Sequence, residues 1–369
     1  MKIDLLNHNL EEFCLKVGMF CGIPSQLIVP NHIGTKFTQK NSIFRSSIWD
    51  TEGNLLSASY KKFVNFGENP DNFSVPTSIK NCSIITKIDG SAVIMDCIND
   101  CISMRTRGTF SVDTMENVND FYQCLATYPK ITEWLKSHPN YSLITEITTP
   151  NLRIVIRYGD EPDFWLTGAV NKDDYSLMTQ SDLDILAVEL GIKRPERYEF
   201  DNIDNMIDVV SKWIGIEGVC LYSPDGQSIW KIKAEDYLTR HRLKEEFGNL
   251  EKILDFFIIC GCPDYNAFYQ KVAEVVDFET AEECRRDISK CVDAYKEVKS
   301  IMDGMTRFIN DKVMPLGDPK DKKVRGKMAQ LVLGAYGNTN RSSFIFKKLD
   351  LKELNSEDLI KLFWQTLKK

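Results

Sequence analysis

At about Ala234 the spacing of apolar residues changes, and that change limits what the chain can become. Upstream, short runs such as SIITK, SAVIMDCI, YSLITEIT and EGVCLYS are rich in β-branched and aromatic residues and are separated by turn-forming pairs. This is the pattern of half-buried strands. Downstream, LEKILDFFII, AFYQKVAEVV, SKCVDAYKEVKSIM and EDLIKLFWQTL repeat at helical spacing with little strand signal. The chain therefore reads as a mixed α+β domain over residues 1–236 followed by an all-helical C-terminal domain over residues 237–369. With 369 residues, each part can bury a core of its own.

Within the first part, an amphipathic helix is expected at the start. NSIFRSSIWD and LLSASYKKF follow as a hairpin across Thr51-Glu52-Gly53-Asn54. SIITK, SAVIMDCI and CISMRTR come next as strands, broken at Asp89-Gly90 and Asn99-Asp100. One helix is predicted from about Val118 to His138, ahead of Pro139. YSLITEIT and LRIVIRY read as a hairpin across Thr149-Pro150-Asn151, and DFWLTGAV as a further strand. SDLDILAVELG fits a helix capped at Ser181, with Asp184 three residues on and a glycine at its end. A second helix covers IDNMIDVVSKW, and the last two strands turn at Pro224-Asp225-Gly226.

The N-terminal residues lack the basic start and apolar stretch of a signal peptide, and no run is long enough to span a bilayer. A soluble, cytoplasmic protein is expected. Eleven cysteines, an odd number, sit in apolar segments such as FFIICGC, as buried reduced thiols do. Cys97 with Cys101 and Cys260 with Cys262 lack the second pair of a zinc site. His8, His32, His138 and His241 form no nucleophile or metal pattern, and Gly326-Lys327 lacks the spacing of a phosphate-binding loop. The net charge of -7 excludes nucleic-acid binding by overall charge. Any contact with nucleic acid must use local basic patches: Lys61 with Lys62, Arg105 with Arg107, Lys231 with Lys233, TRHRLK, or the run from Lys320 to Lys327. Taken singly, each is more often a solvated face.

Thr86-Lys87-Ile88-Asp89-Gly90-Ser91 lies between two strand runs, which places Lys87 at a strand end where it can reach a cleft. A Lys-x-Asp-Gly string alone occurs by chance in about one chain in ten of this size. Its company gives it weight: Glu146, Glu217, and Lys231 with Lys233 follow in order, the last two on one face of a strand. A lysine attacks the α-phosphorus of ATP only as the free amine, and about one in 2,500 is neutral at pH 7. Lys231, Lys233 and Arg45 are expected to lower that pKa and to bear charge on the phosphate oxygens. Glu217 suits a divalent metal, Glu146 suits ribose hydroxyls, and Gly90 allows close backbone approach. Phe63 and Trp165 have the chemistry to contact a base, although aromatics in strands are more often core.

These residues resemble the ATP-dependent RNA ligases of the RNA ligase 1 type, best known from T-even phages. KIDGS at Lys87, TEI at Glu146, EGV at Glu217 and KIK at Lys231 and Lys233 resemble motifs I, III, IV and V. FRSSIWD with SYKKFVNFGENP, and RTRG, resemble blocks that place Arg45, Lys62 and Arg107 around the bound nucleotide. The family usually has Arg-Gly where this chain has Arg45-Ser46.

The resemblance implies a nucleotidyltransferase (adenylyltransferase) domain of antiparallel sheets with flanking helices. It implies ATP and Mg²⁺, with Mn²⁺ as an alternative, and a lysyl-AMP on Lys87. It also implies RNA with 5′-phosphate and 3′-hydroxyl ends, such as a cleaved tRNA loop under repair, with a separate kinase/phosphatase healing the ends and the host cytoplasm as the setting if the gene is viral. The helical domain is expected to select the RNA. DNA ligases and mRNA capping enzymes share such a core but follow it with a β-rich oligonucleotide-binding domain. An RNA-end-binding protein without ligation is the alternative of another class.

Overall fold

The computed structural model describes the chain except residues 32–34, 70, 151–153, 248, 262–263, 277–280, 283, 351–358, 360 and 364–369. His32, Cys262, Asn151, the first two residues of LRIVIRY and most of EDLIKLFWQTL thus fall outside the described residues, as do the side chains of 242–247, 274 and 275. The chain divides into two compact units, Met1–Thr239 and Arg240–Lys369.

The first unit is built on three sheets. One is a four-stranded antiparallel meander of β1 (Phe13–Phe20), β2 (Ile23–Pro30), β3 (Ser47–Asp50) and β4 (Leu55–Ser57). Later in the chain come β5 (Val64–Asn65), β6 (Ser83–Thr86), β7 (Ser91–Ile98), β8 (Cys101–Arg105), β9 (Tyr141–Thr148) and β10 (Asp163–Asn171). The second sheet is antiparallel in the order β10-β9-β7-β8. The third adds β11 (Arg197–Tyr198), β12 (Gly218–Tyr222) and β13 (Ile229–Lys233), in the order β11-β6-β12-β13-β5, with only the short β13–β5 pairing parallel.

Helices α1 (Val118–Thr127), α2 (Lys130–Ser137) and α3 (Gln180–Leu190) flank the second sheet and close a core that includes Val93, Trp134, Leu135, Phe164 and Leu186. Helix α4 (Ile203–Ser211) covers the third sheet through Met206 and Val210. Trp49, Ile85, Ile144 and Tyr222 belong to one cluster and come from all three sheets, so a shared core joins them. Each such buried side chain contributes about 1.5–3 kcal/mol.

A polar knot is sunk among the sheets. Arg105 and Asp96 are fully buried. The Arg105 guanidinium donates to Ser57 Oγ at 2.8 Å, Ser46 Oγ at 2.9 Å and the Ser46 carbonyl at 2.9 Å. Asp96 accepts from the hydroxyls of Ser57 and Ser142 and lies 3.6 Å from Lys172 Nζ. Burial holds Arg105 down to about 10, yet its guanidinium has hydrogen-bond acceptors and the charge of Asp96 opposes the fall, which makes the buried ions tolerable.

Four local expectations are corrected. No opening helix forms: residues 1–12 hold one short turn, Leu5–Asn7, and the apolar residues from Phe13 onward pair as the β1–β2 hairpin, closed by Cys21 and Gly22 at φ 46° and 79°. The helix expected over 118–138 is two helices, because Pro129 cannot continue the ladder and biases Tyr128 out of helix. Strand β9 pairs with β7 and β10, and residues 154–158 form no strand. Thr179, not Ser181, caps α3, by accepting from the amide of Asp182 at 3.1 Å.

Helix α5 (Glu235–Phe247) follows β13. The second unit contains α6 (Leu250–Ile259), α7 (Tyr265–Val275), α8 (Arg285–Phe308), α9 (Lys322–Tyr336) and α10 (Asn340–Leu349). Asn249, Asp264 and Asp321 cap α6, α7 and α9, and Phe257, Phe268, Ile288, Met328 and Phe344 are among the side chains of its core. Among the described residues every cysteine is a free thiol, and no helix is long and apolar enough to cross a membrane.

Candidate active site

The third sheet creates the site by ending two strands at one place. Lys87 follows the last residue of β6, and its amide donates to the Gly218 carbonyl at 2.8 Å. Gly218 sits at φ 141°, and a Cβ there would lie 2.1 Å from the Ile232 carbonyl oxygen. Only glycine lets the two chains come this close. Gly90 is constrained in the same way from the second sheet, since a Cβ would fall 2.3 Å from the Ile147 oxygen and 3.0 Å from Glu146 Cγ. Backbone contacts thereby hold Lys87 between two sheets.

A cavity of about 650 Å³ opens over this junction, and Arg45, Lys62, Lys87, Arg107, Lys231 and Lys233 line it. Glu146, on β9, is the carboxylate in its wall, and Ile85, Tyr60, Cys220 and Tyr222 give it an apolar part. Glu217 is 2% exposed. Its two oxygens are paired separately, with Lys87 Nζ at 2.7 Å and Lys233 Nζ at 2.9 Å. The residues singled out in the sequence for this site are therefore brought together. Lys231 and Lys233 point to one side of β13, opposite Cys220 and Gly218 of β12.

Phe63 organises the cations instead of joining the core outright. The Arg45 guanidinium lies 4.5 Å from its ring centroid and Lys231 Nζ 5.6 Å, while Lys62 sits 5.3 Å from the ring of Phe37. An aromatic face offers partial negative charge to cations that repel one another. Trp165 is not part of the cavity lining; it meets the Tyr158 ring edge-on at 5.7 Å.

The electrostatics differ from the expectation for Lys87. Burial pushes its ammonium down, but the charges of Glu217 and Glu146 outweigh burial, so the net shift is upward. The free site stabilises the protonated form. It is Lys231 that is lowered, to about 8, by burial first and then by Arg45, Lys62, Lys233 and Lys87. Glu146 is pushed up to about 7, mainly by burial, with Lys87 opposing the rise and Glu217 adding to it. Arg45 is held down to about 10 by burial and by Arg107.

No role was expected for Asp89, although it stands inside the Lys-x-Asp-Gly string. Asp89 is 4% exposed. One oxygen accepts from the amides of Val155 and Ile156 at 2.7 and 2.8 Å, and the other from the Tyr237 hydroxyl at 2.7 Å. Its own amide donates to the Tyr158 hydroxyl at 2.9 Å. Asp89 thus ties the lysine loop to the segment after β9 and to the start of α5. Ser46 is likewise structural: it is fully buried and donates to the Arg107 carbonyl at 2.8 Å while accepting from Arg105.

Among the described residues no group of three or more His, Cys, Asp or Glu side chains could hold a metal. Glu217 offers hard oxygen donors, but both are engaged by lysines, and among the described residues no closed metal cage surrounds it. Mg²⁺ is commonly held by one or two carboxylates together with substrate phosphates, and Glu217 is the carboxylate that could contribute here.

A lysine at a strand end, backed by a buried carboxylate and facing a cleft of further cations, has the donor set for a polyphosphate. The chain belongs to the RNA ligase family, whose model, described as RNA ligase, matches residues 38–247. A protein of Autographa californica nuclear polyhedrosis virus, described as a bifunctional polynucleotide kinase/RNA ligase, is 22% identical over 247 residues, covering 60% of this chain and 34% of that one. The chain thus spans about a third of the length of that relative. Among solved structures, an RNA ligase of Naegleria gruberi is 15% identical, covering 62% of this chain and 76% of its own, with a TM-score of 0.41. An archaeal ATP-dependent RNA ligase is 12% identical, covering 93% and 94%, with a TM-score of 0.45.

Proposed function

We propose that the chain is an ATP-dependent RNA ligase that takes AMP onto Lys87, passes it to the 5′-phosphate of an RNA end, and seals that end to a 3′-hydroxyl. The observation that carries this reading is the position of Lys87: its amine lines the cation-walled cavity and is paired at 2.7 Å with a buried carboxylate. In the first step the Lys87 nitrogen attacks the α-phosphorus, a P–N bond forms, and the P–O bond to the β-phosphate breaks with its electron pair leaving on pyrophosphate. Glu217 is the nearest acceptor for the proton that Lys87 must lose. Arg45, Lys62, Lys231 and Lys233 bear the charge of the triphosphate, positioning and neutralisation being most of the catalysis in such transfers.

Glu146 would accept from ribose hydroxyls, and its raised pKa leaves it able to stay neutral when the nucleotide is absent. A divalent ion, Mg²⁺ or Mn²⁺, would be held by Glu217 with the phosphates and would supply further charge neutralisation. The catalytic work belongs to residues 1–236 and the choice of RNA to the helical part. The viral relative, described as a bifunctional polynucleotide kinase/RNA ligase, supports a partnership between ligation and an end-healing activity. The substrate proposed is a broken RNA such as a cleaved tRNA loop, in the cytoplasm of the host cell if the gene is viral.

Intact mass spectrometry after incubation with ATP and Mg²⁺ tests the reading. Wild type should gain one AMP, mapped to Lys87, GTP should give no GMP adduct, and Lys87→Ala should gain nothing. An adduct on another residue, or none with any nucleotide and divalent ion, refutes it.

A further inference from the structure

A second cavity, of about 300 Å³, lies beside the first, and the two share Lys62 and Phe63 in their walls. Its floor is apolar: Leu177, Ile229 and Trp230 are each less than a tenth exposed. Phe63 and Phe73 are half-buried aromatic walls. Gln227 holds the shape of the pocket, since its side chain accepts from the Leu177 amide at 3.0 Å and donates to the Leu177 carbonyl at 3.1 Å. At the rim stand the exposed side chains of Gln39 and Ser74. Lys61 and Lys62 bring two ammonium groups to the same pocket, and burial holds both below the ordinary lysine range.

Cations kept partly out of water beside an aromatic cleft call for an anionic, ring-bearing ligand. The volume is at the lower limit of small-molecule sites, which admits one nucleoside and excludes a duplex. Stacking walls with a polar rim are what an unpaired base needs. The shared wall adds the decisive constraint, because a phosphate beside Lys62 is at the border of the cavity that contains Lys87.

We propose that this pocket takes the 5′-terminal nucleotide of the phosphorylated RNA strand, with the base against the aromatic walls and the 5′-phosphate at Lys62. The inference rests on the ligase reading and names where that reaction receives its donor end. In the transfer, an oxygen of the 5′-phosphate attacks the phosphorus of lysyl-AMP and forms a P–O–P anhydride. The P–N bond breaks with its electron pair returning to the Lys87 nitrogen, which then takes up a proton.

The test uses the full chain, first loaded with AMP from ATP and then mixed with a 5′-phosphorylated single-stranded oligoribonucleotide at graded concentrations, following the adenylylated RNA. Phe73→Ala removes a wall, and Ser74→Asp adds a negative charge at an exposed rim position where folding is not at issue. Both variants should load AMP at the wild-type rate and need about tenfold more RNA for half-maximal transfer, the scale of one lost base–aromatic contact. Wild-type RNA dependence in both variants overturns the proposal. So does slowed AMP loading in either variant, which would make the pocket part of the ATP site. Failure of wild type to load AMP at all would instead remove the ligase reading itself, and the loading step reports that separately.

Discussion

Replacing Asp89 separates hydrogen-bond geometry from charge at the lysine loop. Its carboxylate is buried and satisfies two backbone amides and one tyrosine hydroxyl, all within 2.8 Å. Asp89→Ala strands two buried donors and one partly buried one at about 1–3 kcal/mol each, so a loss of about 3–6 kcal/mol is expected after partial relaxation. Against a total stability of about 5–15 kcal/mol, that is enough to loosen the whole first unit. Asp89→Asn keeps one oxygen for the two amides and turns its NH₂ toward Tyr237, whose hydroxyl rotates to accept. Only the charge assistance is lost, about 1–2 kcal/mol. Urea denaturation should rank wild type, Asn and Ala in that order. Lysyl-AMP formation should fall by less than about tenfold in Asp89→Asn and by about a hundredfold or more in Asp89→Ala, because Lys87 is displaced. Equal damage from both substitutions would mean that the charge matters and not the three bonds. An Ala variant as stable as wild type would refute the structural role outright.

Glu217→Gln removes the anion that holds Lys87 protonated, so Lys87 should become acylated by acetic anhydride at lower pH than in wild type, followed by peptide mass mapping, while lysyl-AMP formation falls. An unchanged labelling midpoint would contradict the ion pair. Glu146 has a folded pKa of about 7 against an ordinary 4.5, so the native state binds its proton more tightly and stability is lost as pH rises from below 4.5 through 7. Glu146→Gln should therefore be more stable than wild type at pH 8, by at most about 3 kcal/mol, with the advantage vanishing below pH 4.5 in denaturant titrations. Ser46→Ala strands the Arg107 carbonyl and one Arg105 N–H, and should cost about 1–3 kcal/mol in urea midpoint analysis; a neutral effect would mean that water replaces the hydroxyl.

What could be read in the sequence was what strand periodicity controls. Lys231 and Lys233 had to share a face once β13 was recognised, and Lys87 had to stand at a strand end once SIITK was. What could not be read depends on partners far away in the chain. Nothing near Asp89 announces that its acceptors serve residues 155, 156 and 237, and nothing near Ser46 announces Arg105. The β1–β2 hairpin was hidden because EEFCLKVGMF suits either period, and a two-residue turn closed by Cys21 and Gly22 gives little compositional warning. LRIVIRY misled for the opposite reason. Its apolar residues suit a strand, but the amides of Val155 and Ile156 are taken by the Asp89 carboxylate and not by a neighbouring strand.

The electrostatic order of the free site follows from the same geometry. Two lysines share the two oxygens of one buried carboxylate, and an ammonium has no lone pair with which to attack phosphorus. Lys231, by contrast, is crowded by four other cations and is already lowered to about 8. On the proposed function, a triphosphate entering the cavity would relieve that crowding by pairing its charge with Lys231, Lys62 and Arg45. It would also compete with Glu217 for Lys233 and so free a carboxylate oxygen beside Lys87 at the moment a proton must leave. The ligand that needs the proposed nucleophile would then be the one that releases it, and the amine would stay masked in its absence.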